Sequence, residues 1–135
     1  MKAEPSNTPL PKKLGIKPGH TVVVLQAPDG YVATLGAQLQ QVRLVQNEEP
    51  DADIIHFFTA SRAELEQKFP DLMTLLPRHG AIWISWPKKS SGAMTDLTET
   101  VVRETGLKAG LVDVKIAAID ELWSGLKFVY RLRDR

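Results

Sequence analysis

Residues 81–105 read AIWISWPKKSSGAMTDLTETVVRET, and the reading of this stretch decides the fold. Ala81 to Trp86 are apolar without alternation, the pattern of a strand covered on both faces. Pro87 closes the run, and Lys88, Lys89, Ser90, Ser91 and Gly92 form a polar loop. A helix follows, expected to start at Thr95 or Asp96, since either side chain can cap it. Met94, Leu97 and Val101 are expected to face inward, Glu99 and Arg103 to form an i,i+4 pair, and Gly106 to cap the end. Strand, polar loop and helix start in succession is where α/β proteins hold ligands, at the carboxyl edge of the sheet. Two lysines and two hydroxyls beside free helix amides suit an anion.

Upstream, Asp53 to Phe58 reads as a second buried strand. Ser61–Arg62–Ala63–Glu64 is a capping box, and Leu65, Phe69, Leu72 and Leu76 make one helical stripe. Pro70 inside that stripe predicts a kink or two abutting helices. Thr21 to Gln26 is a β-branched run expected to be a central parallel strand. It is closed by Ala27–Pro28–Asp29–Gly30, with a short helix on Tyr31, Leu35 and Leu39 that Gly36 weakens. Val42 to Val45 is expected at a sheet edge, and residues 46–52 are few for a parallel crossover. Downstream, Val112–Ile119 and Leu126–Leu132 form an antiparallel hairpin, because residues 120–125 are too few for anything else. Residues 1–13, with Pro5, Pro9 and Pro11, read as a flexible tail ahead of a single domain over 14–135.

A chain of 135 residues with net charge +1 is one soluble domain without a global basic field. Nucleic acid is therefore not an expected partner. The absence of cysteine removes disulfides and thiolate metal sites, and no run approaches the ~18 apolar residues of a membrane span. A cytoplasmic location follows as an expectation. His56 in an apolar strand reads as a satisfied core residue, and His20 and His79 have no carboxylates at metal-ligand spacing. Asp113 and Lys115, on one strand face, are expected to pair with neighbours.

The order of elements, ending in a hairpin, resembles a reduced methyltransferase-like Rossmann fold. Local similarity lies in the Asp53-led strand, the helix end Leu75–Leu76–Pro77–Arg78–His79–Gly80 and the strand Ile82–Trp83–Ile84–Ser85. The set Trp86–Gly92, Asp96–Glu99, Gly110–Asp113 and Trp123–Val129 resembles a small bacterial family described only as a domain of unknown function. The resemblance implies a three-layer α/β/α sandwich, mostly parallel, with strands ordered 2-1-3-4-6-5 and the sixth antiparallel. Methyltransferases follow their first strand with a glycine-rich turn and end their second in an acid. Here the turn Gln26–Gly30 has one glycine and a proline, and the second strand ends Val45–Gln46–Asn47. These departures speak against S-adenosylmethionine, and no cofactor is expected.

Such a sheet gathers Asp29, Lys88, Lys89, Ser90, Ser91, Gly92, Thr95, Asp120, Glu121, Trp123 and Ser124 along one rim, with Trp86 at its strand end. The leading expectation is a non-catalytic protein binding a small anionic ligand or a protein partner there. Trp86 or Trp123 would offer a stacking face, while Trp83 packs in the core. The alternatives are a minimal S-adenosylmethionine-dependent methyltransferase and a nucleic-acid-binding accessory protein.

Overall fold

The buried strands β1 (Thr21–Leu25), β3 (Ile54–Phe58) and β4 (Ala81–Pro87) lie parallel, each made of the apolar runs noted above. The short strand β2 (Arg43–Val45) pairs with β1 at one edge. The hairpin strands β5 (Leu111–Ala118) and β6 (Trp123–Tyr130) complete a six-stranded sheet ordered β2-β1-β3-β4-β6-β5. β6 is antiparallel to both neighbours, β4 and β5. A computed structural model describes residues 8–135 of the chain. The part of the expected tail over residues 1–7 lies outside the described residues.

Because successive strand residues point to opposite faces, the sheet builds two cores. Val22, Val24, Ile54, Phe58 and Trp83 face α1 (Leu10–Leu14) and α2 (Tyr31–Gly36). Val23, Ile55, Phe57, Ile82 and Ile84 face α3 (Arg62–Leu75) and α4 (Glu99–Ala109). The result is the three-layer, methyltransferase-like sandwich. The connection from β2 to β3 crosses without a helix: Ala52 is buried, and Asp51 N–H donates to Leu75 O at 3.0 Å.

Several local expectations need correction. Residues 10–13, expected in the tail, belong to α1. Pro9 and Pro11 do not signal disorder there; they sit in the first turn, where a missing N–H costs nothing, and Gly15 at φ 77° ends the helix. Lys13 Nζ donates to Ala118 O at 2.9 Å, and buried Trp83 donates its indole N–H to Leu14 O at 3.1 Å. α3 is one helix through Pro70, not two abutting ones. α4 starts at Glu99 with Thr98 as its cap, because Thr95 and Asp96 are engaged elsewhere. Met94 is 94% exposed, not inward. Gly106 is buried inside α4 against Phe128, and Gly110, at φ 106°, is the residue that caps it. Glu99 does pair with Arg103, at 2.6 Å, and Arg103 also holds Asp113 at 2.9 Å.

Candidate functional site

The chain changes direction of winding between β1 and β3, the place where open α/β sheets leave a crevice for ligands. Here that crevice is bridged. Gln26, directly after β1 and in the left-handed region at φ 58°, donates through Nε2 to Phe58 O at 2.9 Å and to Glu64 Oε1 at 3.0 Å. Glu64 also accepts from the Thr59 hydroxyl. That bond, and then the Gln26 amide, hold its carboxyl below the usual range. The capping box is thus half formed: Ser61 Oγ accepts from Glu64 N–H at 3.1 Å, but Thr59 Oγ1 takes the Ser61 N–H that Glu64 would have received. At the end of β2 the acids are committed too, Glu48 to Lys68 and Glu49 to Arg43.

The open space lies beside this crevice, on the α1–α2 face. A cavity of about 530 Å³ is bounded by α1 (Leu10, Lys13), the turn Pro28–Asp29–Gly30, Tyr31 and Thr34 of α2, and the β5–β6 turn with Asp120, Leu122 and Trp123. Asp29 is exposed there and has no hydrogen-bonded or ionic partner among the described residues. Asp120 uses Oδ1 to accept the N–H groups of Leu122 at 2.8 Å and Trp123 at 2.9 Å, which folds the turn and holds the indole in place. Trp123 packs edge-on against Phe58, with ring centroids 5.2 Å apart, so its size is used to seal the core end of the cavity. Two carboxylates and an aromatic wall suit a ligand with positive charge or several N–H donors.

Tyr31, 7% exposed, connects this cavity to the interior. Its hydroxyl is 3.2 Å from Nδ1 of His56, and Nε2 of His56 is 2.7 Å from Ser85 Oγ. His56 is therefore a satisfied core histidine, as its apolar strand implies. Burial pushes its pKa down to about 3, so the ring is neutral. Burial, and secondarily the Asp120 charge, push the Tyr31 phenol up, so it keeps its proton. Tyr31 escaped the sequence reading as a site residue because it looked like the first apolar position of a short helix. The α1 residues escaped it because they were assigned to a tail.

The structure splits the expected rim in two. Asp29 and Trp123 share the cavity just described, whereas Lys89, Gly92, Thr95 and Trp86 border a separate depression of about 470 Å³ with Pro87, Leu97 and Glu99. Lys88 borders neither; its backbone N–H donates to Leu122 O at 2.8 Å and ties the lysine loop to the hairpin turn. Ser90 is exposed, and Ser91 Oγ is turned inward to Lys88 O at 2.7 Å. Thr95 Oγ1 donates to Ala60 O at 2.6 Å, and Asp96 Oδ1 accepts from Arg62 N–H at 2.8 Å, so both serve the neighbouring helix. Trp86 is 5% exposed and packs in the α3–α4 core, and Ser124 lies in the β6 ladder opposite Trp86. The start of α4 does face the second depression, but Glu99 brings a carboxylate with it. No three His, Asp or Glu side chains among the described residues are grouped to hold a metal ion, and no described helix is long and apolar enough to cross a membrane.

No protein-family model matches the chain, and no curated protein matches it in sequence. Solved structures do match in fold. Fibrillarin from Aeropyrum pernix, in complex with S-adenosyl-L-methionine, superposes with a TM-score of 0.60 at 12% identity, over 84% of this chain and 67% of that one. Precorrin-6y C5,15-methyltransferase from Geobacter metallireducens gives 0.57 at 14% identity, over 90% and 86%. Magnesium protoporphyrin IX methyltransferase from Synechocystis, with bound SAH, gives 0.57 at 13% identity, over 84% and 75%. At these identities the likeness is one of fold: the chain is a six-stranded α/β protein of the methyltransferase-like kind.

Proposed function

We propose that this chain binds an S-adenosyl nucleoside, or a nucleoside of that class, in the Asp29–Asp120–Trp123 cavity, and is a minimal methyltransferase. The observation that carries this reading is the cavity itself. It stands at the carboxyl end of β1, beside the winding reversal, and its volume falls within the ~300–1,000 Å³ of small-molecule sites. The fit is uneven in an informative way. Two carboxylates and an indole outnumber the one ammonium of the cavity wall, that of Lys13, which donates to Ala118 O, so the balance of charge suits a sulfonium cation. The end of β2 does not offer a free acid for a ribose, since Glu48 and Glu49 are held by Lys68 and Arg43. Gln26 also blocks the crevice between β1 and β3. The ligand would therefore sit against α1 and the hairpin turn. The fold shared with proteins solved with S-adenosylmethionine or SAH supports this class over the anionic ligand expected at the lysines.

Calorimetric titration with S-adenosylmethionine, S-adenosylhomocysteine and adenosine tests the proposal. Saturable binding is expected, weakened about tenfold by Asp29→Asn with no change in melting temperature, because the side chain has no partner among the described residues. Absence of saturable binding for all three overturns it. The depression at Lys89 supports a second reading, an anion at the start of α4. A phosphate titration that responds to Lys88→Ala/Lys89→Ala and fades as salt rises would identify it.

A further inference from the structure

What Tyr31 offers the cavity is decided behind it, in the core. Ser85 is fully buried on β4, and among the described residues its hydroxyl meets one partner, His56 Nε2 at 2.7 Å. A buried hydroxyl proton withheld from that nitrogen would go unpaired, which is unfavourable. The neutral imidazole has one donor and one acceptor nitrogen. With Nε2 accepting from Ser85, the ring proton sits on Nδ1 and donates to Tyr31 Oη, 3.2 Å away. The two lengths agree with this polarity, since hydroxyl donors make shorter bonds than ring N–H donors. The proton of Tyr31 then has no acceptor in the core among the described residues, and Tyr31 borders the cavity.

We infer that Tyr31 is a ligand-contacting residue that presents its O–H as a donor to the cavity, with Ser85 and His56 fixing that polarity, so that the ligand must bring a hydrogen-bond acceptor to this point. The inference rests on reading the cavity as a ligand site. Asp29 and the second oxygen of Asp120, which accepts from no described residue, supply acceptors nearby, so the ligand pairs an acceptor atom with N–H donors. The edge of an aminopurine has that chemistry: a ring nitrogen accepts and the exocyclic amine donates.

Long-range proton–nitrogen correlation spectra of His56 in the ligand-free protein should show the Nδ1–H tautomer at neutral pH. The Nε2–H tautomer overturns the inference, whatever the ligand. Adenosine is then titrated into the wild type and Tyr31→Phe, whose fold is verified by its melting curve. About a tenfold loss of affinity is expected, the worth of one hydrogen bond. Unchanged affinity overturns the contact. If the wild type binds neither adenosine nor S-adenosylhomocysteine, the nucleoside reading of the cavity fails, and the tautomer alone decides the polarity.

Discussion

A β-carbon on Gly106 would stand 2.1 Å from one ring atom of Phe128 and under 3 Å from two others. In an exposed helix interior, glycine to alanine gains about 1 kcal/mol of propensity. Here the sign reverses, because the clash is with a fully buried ring that also packs edge-on against Phe69 at 5.6 Å. Gly106→Ala should lower stability by about 1–3 kcal/mol, read from the urea midpoint; an increase would mean that Phe128 has room to move. The sequence showed a glycine near a helix end and suggested a cap, because the ring that needs the space comes from β6, 22 residues later. His56 makes a second prediction. Its folded pKa is depressed to about 3 from an unfolded 6.5, so the unfolded chain binds the proton first as pH falls. Its contribution is intact above 6.5 and is progressively lost toward 3, at up to about 1.4 kcal/mol per pH unit. Between pH 6.5 and 5, where few carboxylates titrate, the stability of the wild type should slope downward more steeply than that of His56→Gln. Parallel slopes would mean that the ring charges without unfolding.

At the scale of elements, strands and helices were legible wherever a period was carried by apolar residues, and boundaries were not legible where several capping residues competed. Thr95, Asp96 and Thr98 can each start a helix. Two of them are claimed by Ala60 O and Arg62 N–H at the start of α3, which leaves Thr98 for Val101 N–H at 3.2 Å. That allocation depends on a neighbour more than 30 residues away, so no local pattern reports it. α3 shows the reverse case. Pro70 lies in its interior and removes the donor to Glu66 O, yet burial of Leu65, Phe69 and Leu72 keeps the helix continuous. The loss remains in the ledger of the folded state. Pro70→Ala should therefore stabilise the protein, by about 1–3 kcal/mol after allowing for the freer unfolded chain. Differential scanning calorimetry checks it, and a lower melting temperature would show that Pro70 packs better than its missing hydrogen bond costs.

At the scale of the molecule, the hairpin ending was legible in the residues, but the sheet order was legible only through the resemblance to methyltransferase-like folds, because short connections alone do not place β6 between β4 and β5. That cavities open at the carboxyl edge was legible, but not which of the expected residues share one. The hydroxyls of Ser91 and Thr95 are turned to backbone carbonyls and Lys89 borders a separate depression, whereas α1, read as a tail up to residue 13, forms a wall of the larger cavity. This inverts the ranking of which segments matter for stability. Leu14, at 0% exposure, fills the core against the face that carries Trp83, and its carbonyl receives the indole N–H. Leu14→Ala removes most of that side chain while leaving the carbonyl, and a cost of about 2–4 kcal/mol is expected from lost burial and the space left behind. The double substitution Lys88→Ala/Lys89→Ala should barely move the same unfolding curve, because it removes surface charge and no packing. Thermal melts of the two variants against the wild type decide between the readings. If the lysine variant fell further than Leu14→Ala, α1 would be a loosely attached segment after all, and the cavity it borders would lack a fixed wall.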